Sequence, residues 1–256
     1  MSVNIEWQDA TDSLDHETRE FRIARSGKRD VTGAVWLPMS ARSATTLICF
    51  GHGASGDRYQ APICSLAARF VDADLPVLSI DGPVHGLRQV GEGGRNAFFP
   101  EFNRAESLKD MTDDWTCAIS EVQQLPEVGI GKLAYFGLSM GSIFGIPLLA
   151  ARADVTVATL GLVGVGSNIP HSEELLTAAA NISCPLLFLM QLEDELFERD
   201  GYLKVFDAFT AVDKRIHANP GLHPEIPGEE VDFAFDFLLR HIRGTATRRI
   251  VNPLAE

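Results

Sequence analysis

The chain has 256 residues, 45% of them hydrophobic, which predicts one large core and a single domain over residues 1–256. Its 22 basic and 35 acidic side chains give a formal charge of −13 without a basic stripe, which argues against nucleic acid or an anionic membrane as a partner. We expect a cytoplasmic protein, because no basic segment followed by an apolar stretch opens the chain and no apolar run reaches the roughly 18–20 residues that span a bilayer.

The four cysteines are far apart and form no C-x-x-C pair. Cys49, Cys64, Cys117 and Cys184 are therefore interpreted as free thiols of a reducing compartment and not as a disulfide framework. No metal-ligand cluster, phosphate-binding loop or dinucleotide-binding glycine pattern is present, so we expect neither a metal nor a cofactor.

Short β-rich segments alternate with helical patterns along most of the chain. Segments 21–24 and 32–37 predict an antiparallel hairpin, because no helical pattern separates them. The other predicted strands are 46–50, 76–80, 130–136, 155–160, 185–190 and 215–218. Helices are predicted at 63–70, 106–124, after residue 141, and at 173–180, 200–211 and 231–242. This order predicts an α/β fold, a mostly parallel eight-stranded sheet with helices on both faces.

Residues 137–141 form the pattern G-x-S-x-G between a predicted strand and a predicted helix. A serine on such a tight turn has a strained backbone and an exposed hydroxyl, while the glycines allow strand and helix to approach closely. This context favours Ser139 as a catalytic nucleophile over a structural turn.

A reactive serine needs a base and an acid that orients the base. His223 is the candidate base, because it lies in a Gly- and Pro-containing loop after the last predicted strand. The competing His217 falls within that strand. Three consecutive acids follow the strand at 185–190, and Asp194 is preferred because its shorter side chain suits a tight turn; Glu193 and Glu195 remain alternatives.

Two backbone N–H groups are expected to bind the oxyanion that forms on the substrate. One is that of Met140, directly after the serine, and the other is that of Ala54 in the loop 51–57, with Gly53 as the alternative. His52 in the same loop is a candidate substrate contact.

These segments, G-H-G-A at 51–54, D-G-P-V-H-G at 81–86 and G-L-S-M-G at 137–141, resemble the α/β-hydrolase superfamily over nearly the whole chain. The resemblance is closest to the dienelactone-hydrolase-like and small-esterase branch, although dienelactone hydrolases proper use a cysteine where this chain has Ser139. It implies that Asp81 and His85 shape the loop beside the site. Both are kept as candidate substrate contacts.

Two segments are candidates for the substrate-binding region. Residues 163–183 leave room for a short lid at most, so we expect a small or absent cap. The longer insertion 81–106 carries Phe98, Phe99 and Phe102, which are candidates to line an acyl or aryl pocket. Packing of these rings into the core or an interface is the competing interpretation.

The residues and the resemblance together predict a serine hydrolase that cleaves a carboxylic ester of a small molecule through an acyl-enzyme. The same nucleophile could act on a thioester, an amide or a peracid. A different class, a catalytically silent scaffold that binds a small ligand, is the third hypothesis. The sequence predicts no oligomeric state and names no substrate.

Overall fold

The computed structural model describes residues 4–10, 16–39 and 45–246, and within them it has nine strands and seven α-helices. The strands are β1 (Asn4–Asp9), β2 (Glu17–Ala24), β3 (Val31–Leu37), β4 (Thr46–Gly51), β5 (Val77–Ile80), β6 (Lys132–Leu138), β7 (Val155–Gly161), β8 (Leu186–Gln191) and β9 (Lys214–Asn219). The helices are α1 (Ala61–Asp72), α2 (Gly94–Phe102), α3 (Ser107–Val122), α4 (Met140–Ala150), α5 (Ser172–Ala179), α6 (Arg199–Ala208) and α7 (Gly228–Ile242).

All nine strands form one sheet in the order β1-β2-β3-β5-β4-β6-β7-β8-β9. The first three strands and β5 pair antiparallel, and the six strands from β5 to β9 are parallel to one another. The predicted mostly parallel α/β sheet is therefore confirmed, with one strand more than the eight expected. The additional strand β1 pairs with β2, and its Trp7 packs edge-on against Phe21 with ring centroids 5.7 Å apart. The sequence pattern that indicates β1 is the alternation of the apolar residues Ile5 and Trp7 with polar residues.

The sheet separates two apolar layers. Successive residues of a strand point to opposite faces; thus Leu47 and Cys49 of β4 belong to one cluster and Ile48 and Phe50 to the other. Buried residues of α1 and α7 complete the second cluster, and those of α3, α4, α5 and α6 complete the first. Burial on both faces explains why the central strands are almost uninterrupted apolar runs.

The topology brings several loops to one edge of the sheet. Parallel strands all end on the same side, so the loops that follow β4, β5, β6, β8 and β9 start from a common edge. These loops contain the sequence-predicted site residues.

The insertion 81–106 is more regular than the sequence predicted. It contains a short 3₁₀ turn at Gly86–Arg88 and the helix α2. Phe98 and Phe102, four residues apart, both lie on the buried side of α2. The four-residue spacing of the two phenylalanines is the sequence pattern that indicates a helix here, although the segment was predicted to be irregular. The segment 163–183 holds the short helix α5, which begins and ends one residue earlier than the predicted helix at 173–180.

Within the described residues, no helix is both long enough and apolar enough to cross a bilayer. Residues 1–3, part of the segment on which the expectation of no signal peptide was based, lie outside the described residues. All four cysteines are free thiols.

Candidate active site

Ser139 lies on the turn between β6 and α4. Its φ of 56° is in the left-handed region that non-glycine residues rarely adopt, as expected for a nucleophile elbow. The turn is held from both sides: the Ser139 N–H donates to Gly161 O at 3.0 Å, and the Ser142 hydroxyl lies 2.6 Å from Gly137 O and 2.7 Å from Gly161 O. The strain is therefore supported by bonds to the neighbouring strand β7.

Close backbone contact below the serine requires glycine. A Cβ atom on Gly141 would lie 2.2 Å from the carbonyl oxygen of Gly51, and one on Gly51 would lie 2.3 Å from the Tyr135 hydroxyl. The Tyr135 hydroxyl in turn donates to Gly141 O at 2.7 Å. These contacts bring the loop after β4 against the start of α4.

His223 reaches Ser139 from the loop after β9. Its Nε2 lies 2.8 Å from Ser139 Oγ, and its side chain is 3% exposed. The competing His217 instead bonds Glu230 Oε2 at 2.8 Å through its Nδ1. Of the two histidines, the structure brings His223 to the serine.

Asp194 meets the other ring nitrogen of His223. Its Oδ2 lies 2.7 Å from His223 Nδ1, and its Oδ1 accepts the N–H groups of Leu196 at 2.7 Å and Phe197 at 3.0 Å. The Tyr202 hydroxyl also donates to Oδ2. Burial acts to raise the pKa of Asp194, but hydrogen bonds from His223, Tyr202 and Leu196 outweigh burial, and the pKa lies below its usual value. The carboxylate is therefore kept ionised.

The two neighbouring acids hold the backbone of the same loop. Glu193 Oε2 accepts the Gly221 N–H at 2.6 Å, and Glu195 Oε2 accepts the His223 N–H at 2.8 Å. The bond from His223 lowers the pKa of Glu195. Three consecutive carboxylates thus bind one loop, but only Asp194 contacts the imidazole among the described hydrogen bonds. The supporting roles of Glu193, Glu195 and Tyr202 were not inferred from the sequence.

The loop after β4 contains two candidate oxyanion donors, and only one of them, the Ala54 N–H, is free of another hydrogen bond within the described residues. The Gly53 N–H donates to Gln60 Oε1 at 2.7 Å, which removes it as the alternative donor. His52 Nδ1–H donates to Gly53 O at 2.8 Å. In a trans peptide the C=O and N–H point in opposite directions, so this bond directs the Ala54 N–H away from His52. Within the described residues the Ala54 N–H has no acceptor. The Met140 N–H, in the first turn of α4, likewise has no helical partner.

His52 is occupied on both nitrogens, because its Nε2 also accepts the Gly82 N–H at 2.7 Å. Burial lowers the pKa of His52 to about 4, which keeps the ring neutral. Because both ring nitrogens are bonded to backbone and the residue is 2% exposed, His52 offers no free ring nitrogen to a substrate. The expectation of a substrate contact at His52 is corrected to a role in holding the loops after β4 and β5 together.

Asp81 and His85 are also buried behind the site. Asp81 accepts from the Thr32 hydroxyl at 2.6 Å and from Arg58 Nη1 at 3.0 Å, and His85 Nε2–H donates to Ala54 O at 3.1 Å. Burial lowers the pKa of His85, which favours the neutral ring. These contacts correspond to the loop-shaping role that the resemblance implied, and they do not support direct substrate contact.

Two cavities meet at Ser139, and Ala54 and Arg95 also border both. The phenylalanine cavity, about 280 Å³, is bordered by Phe98, Phe99 and Phe102. The histidine cavity, about 190 Å³, is bordered by His223, Ile226 and Val231. Phe98 and Phe102 are buried and stacked with centroids 5.4 Å apart, whereas Phe99 is 51% exposed.

The other two arginines of the insertion are paired with carboxylates. Arg88 binds Asp114 in the interior, and Arg104 binds Asp110 at 2.9 Å. Within the described residues, no group of three or more His, Cys, Asp or Glu side chains is arranged to hold a metal ion.

No protein-family model matches the chain. No curated protein matches it either. Solved structures do: a PEG-bound cold-adapted esterase from an Arctic intertidal metagenomic library is 30% identical, with a TM-score of 0.76, and the match covers 93% of this chain and 100% of that one.

Two acetyl xylan esterases match at lower identity. The enzyme from Paenibacillus sp. R4 is 15% identical over 95% of this chain and 89% of its own, with a TM-score of 0.70. Acetyl xylan esterase 1 from Thermoanaerobacterium sp. JW/SL YS485 is 16% identical over 94% and 89%, with a TM-score of 0.67. At these identities the likeness shows the fold alone.

Proposed function

This chain belongs to the α/β-hydrolase superfamily, and on that premise we propose that it is a serine esterase that hydrolyses a carboxylic ester of a small molecule. Ser139 is the nucleophile, His223 the general base and acid, and Asp194 the residue that orients the imidazole. The N–H groups of Ala54 and Met140 bind the oxyanion.

In the first half-reaction, Ser139 Oγ attacks the ester carbonyl carbon while its proton passes to His223 Nε2. The carbonyl oxygen becomes an oxyanion, which the two N–H groups stabilise; one such donor is typically worth about 3–4 kcal/mol. The imidazolium then protonates the leaving alkoxide, the C–O bond to the alcohol breaks, and an acyl-enzyme on Ser139 remains. Asp194 stabilises the imidazolium throughout.

In the second half-reaction, water takes the place of the alcohol. His223 accepts a proton from water as the water oxygen attacks the acyl carbon. The second tetrahedral intermediate collapses with return of a proton to Ser139 Oγ. The carboxylic acid is released and the serine is restored.

One observation carries this proposal: His223 Nδ1–H donates to Asp194 Oδ2 at 2.7 Å, and the Ser139 hydroxyl donates to His223 Nε2 at 2.8 Å. A base within about 2.6–3.2 Å of the proton that it removes satisfies the geometric requirement for general-base catalysis. The positive φ of Ser139 and its place at the border of two cavities give the hydroxyl access to a substrate.

Covalent labelling tests the nucleophile. A fluorophosphonate should add to Ser139, located by mass spectrometry, and Ser139→Ala should abolish the adduct. Turnover should fall by several orders of magnitude, on the order of 10⁶-fold if residual activity can be measured. Ser120→Ala, an exposed serine of α3, is the matched control and should label normally. An adduct at another residue would contradict the assignment.

The acyl-enzyme itself is tested by partitioning. Esters with one acyl group and different leaving alcohols should produce the same ratio of acid to methyl ester when methanol competes with water, because all of them pass through one intermediate. Ratios that vary with the leaving alcohol would indicate direct attack of water and would overturn this mechanism.

A further inference from the structure

The two cavities at Ser139 differ in whether they contain the proposed acid–base residue. His223 borders the histidine cavity together with Ile226 and Val231. Among its described lining residues, the phenylalanine cavity includes Ser139 and Ala54 but not His223. An ester has two arms, one on each side of its carbonyl group, so the position of His223 distinguishes which arm occupies which cavity.

The tetrahedral intermediate constrains the assignment. Its carbon carries four bonds: to Ser139 Oγ, to the oxyanion, to the leaving oxygen and to the acyl chain. The oxyanion must face the N–H groups of Ala54 and Met140. The leaving oxygen must come within hydrogen-bonding distance of His223 Nε2, because it takes its proton from there. The acyl chain takes the remaining direction.

We propose that the alcohol arm of the ester occupies the histidine cavity and the acyl arm occupies the phenylalanine cavity. This assignment rests on the proposed esterase function and specifies its substrate class: an apolar or aromatic acyl group joined to a smaller alcohol. The alcohol oxygen then lies beside His223, and the remainder of the alcohol extends toward Ile226 and Val231.

The chemistry of the phenylalanine cavity fits an apolar or aromatic acyl arm. The ring of Phe98 contacts two others: it stacks on Phe102 with centroids 5.4 Å apart and is tilted against Phe99 with centroids 5.7 Å apart. Aromatic rings in such arrangements offer a large apolar surface and favourable contacts to another ring. Ile143 and Phe197 extend the apolar lining. The cavity, at about 280 Å³, is also the larger of the two, so the bulkier arm belongs there.

The histidine cavity suits a compact alcohol. At about 190 Å³ it is smaller than the phenylalanine cavity of about 280 Å³, and both lie below the roughly 300–1,000 Å³ typical of small-molecule sites. Ile63, Ile226 and Val231 provide apolar walls, while Gln60 and Ser55 add polar groups. An alcohol that keeps a second hydroxyl is compatible with these side chains, whereas a long alkyl alcohol exceeds the volume.

A crossed substitution experiment tests the assignment. Phe99→Ala trims the wall of the phenylalanine cavity, and Ile226→Ala trims the wall of the histidine cavity; neither residue is fully buried, so both variants should fold. Each variant is assayed on two ester series. One series varies the acyl chain from acetyl to decanoyl with a fixed alcohol, and the other varies the alcohol from methyl to hexyl with a fixed acyl group.

Phe99→Ala should raise the decanoyl-to-butanoyl ratio of kcat/KM by about 10-fold or more and change the hexyl-to-methyl ratio by less than about 2-fold. Ile226→Ala should raise the hexyl-to-methyl ratio of kcat/KM by about 10-fold or more and change the decanoyl-to-butanoyl ratio by less than about 2-fold. Response of the alcohol series to Phe99→Ala, or of the acyl series to Ile226→Ala, would overturn the assignment while leaving the esterase proposal intact. Unchanged ratios in both variants would also overturn the assignment. Failure to hydrolyse any ester, with no fluorophosphonate adduct at Ser139, would instead overturn the proposed function and the assignment with it.

Discussion

Tyr202 donates its hydroxyl proton to Asp194 Oδ2, the same carboxylate oxygen that lies 2.7 Å from His223 Nδ1. The ring of Tyr202 is fully buried and packs edge-on against Phe188 and Phe197. Burial and the bond to Asp194 raise the pKa of Tyr202 far above its usual value, so it remains a donor. The Tyr202 hydroxyl and the His223 imidazole therefore both form a hydrogen bond to the same negatively charged oxygen, Asp194 Oδ2.

We predict that Tyr202→Phe moves the low-pH limb of the kcat/KM profile to higher pH. The ring packing is retained, but Asp194 loses one of the hydrogen bonds that lower its pKa, so the carboxylate is protonated at a higher pH. The free energy of unfolding should fall by about 1.5–3 kcal/mol, the usual worth of a hydrogen bond to a charged group. The measurements are a pH–rate profile and urea unfolding.

Tyr59→Phe is the matched control for this prediction. The Tyr59 hydroxyl donates to Glu20 Oε1 at 2.8 Å and does not contact Asp194. Its removal should lower stability and leave the pH profile in place. A profile that moves equally in both variants would show that Tyr202 acts only through the fold.

We predict that Asp194→Asn lowers kcat/KM far more than Glu193→Gln or Glu195→Gln. The asparagine amide favours the wrong imidazole tautomer, at a cost of up to roughly 10⁴-fold. A glutamine can still accept a backbone N–H through its carbonyl oxygen, so each Glu variant should lose less than about 10-fold. Steady-state kinetics of the three variants tests this prediction. A greater loss of kcat/KM in either Glu variant than in Asp194→Asn would reassign the orienting acid.

We predict that the stability contributed by Asp194 disappears in acid. The folded-state pKa of Asp194 is lower than that of the unfolded chain, about 3.9. The contribution is therefore complete above about pH 4 and is lost as the pH falls through the folded-state value. The difference in unfolding free energy between wild type and Asp194→Asn should shrink below pH 4. A difference independent of pH between 7 and 3 would be incompatible with this linkage.

We predict that Gly141→Ala destabilises the protein strongly. Its Cβ would meet the Gly51 carbonyl oxygen at 2.2 Å, and that atom belongs to backbone and cannot rotate away. Overpacking of this kind typically costs about 1–3 kcal/mol, and occasionally more. Gly228→Ala is the matched control, because a Cβ there meets no atom within 4 Å. Thermal unfolding compares them; equal melting temperatures for the two variants would refute the close-contact argument.

Much of the site could be predicted because its signals are local. The G-x-S-x-G pattern, the strand before Ser139 and the helix after it lie within one short segment, and the structure forms that turn with a positive φ. Likewise, the loop placement of His223 after a strand distinguished it from His217 without knowledge of any contact.

Apart from β1 and α2, the sequence by itself determined the order of elements, and it also determined the two-sided burial of the central strands and the short set of polar residues at their carboxyl ends, since these follow from periodicity and turn composition. The tertiary structure decided which of three adjacent acids faces the imidazole, because the contact joins residues 29 positions apart across two loops. It also decided that His52 binds backbone on both nitrogens and that the phenylalanines and Ile226 border separate cavities. Such relationships depend on how distant segments pack, and no pattern within one segment records them.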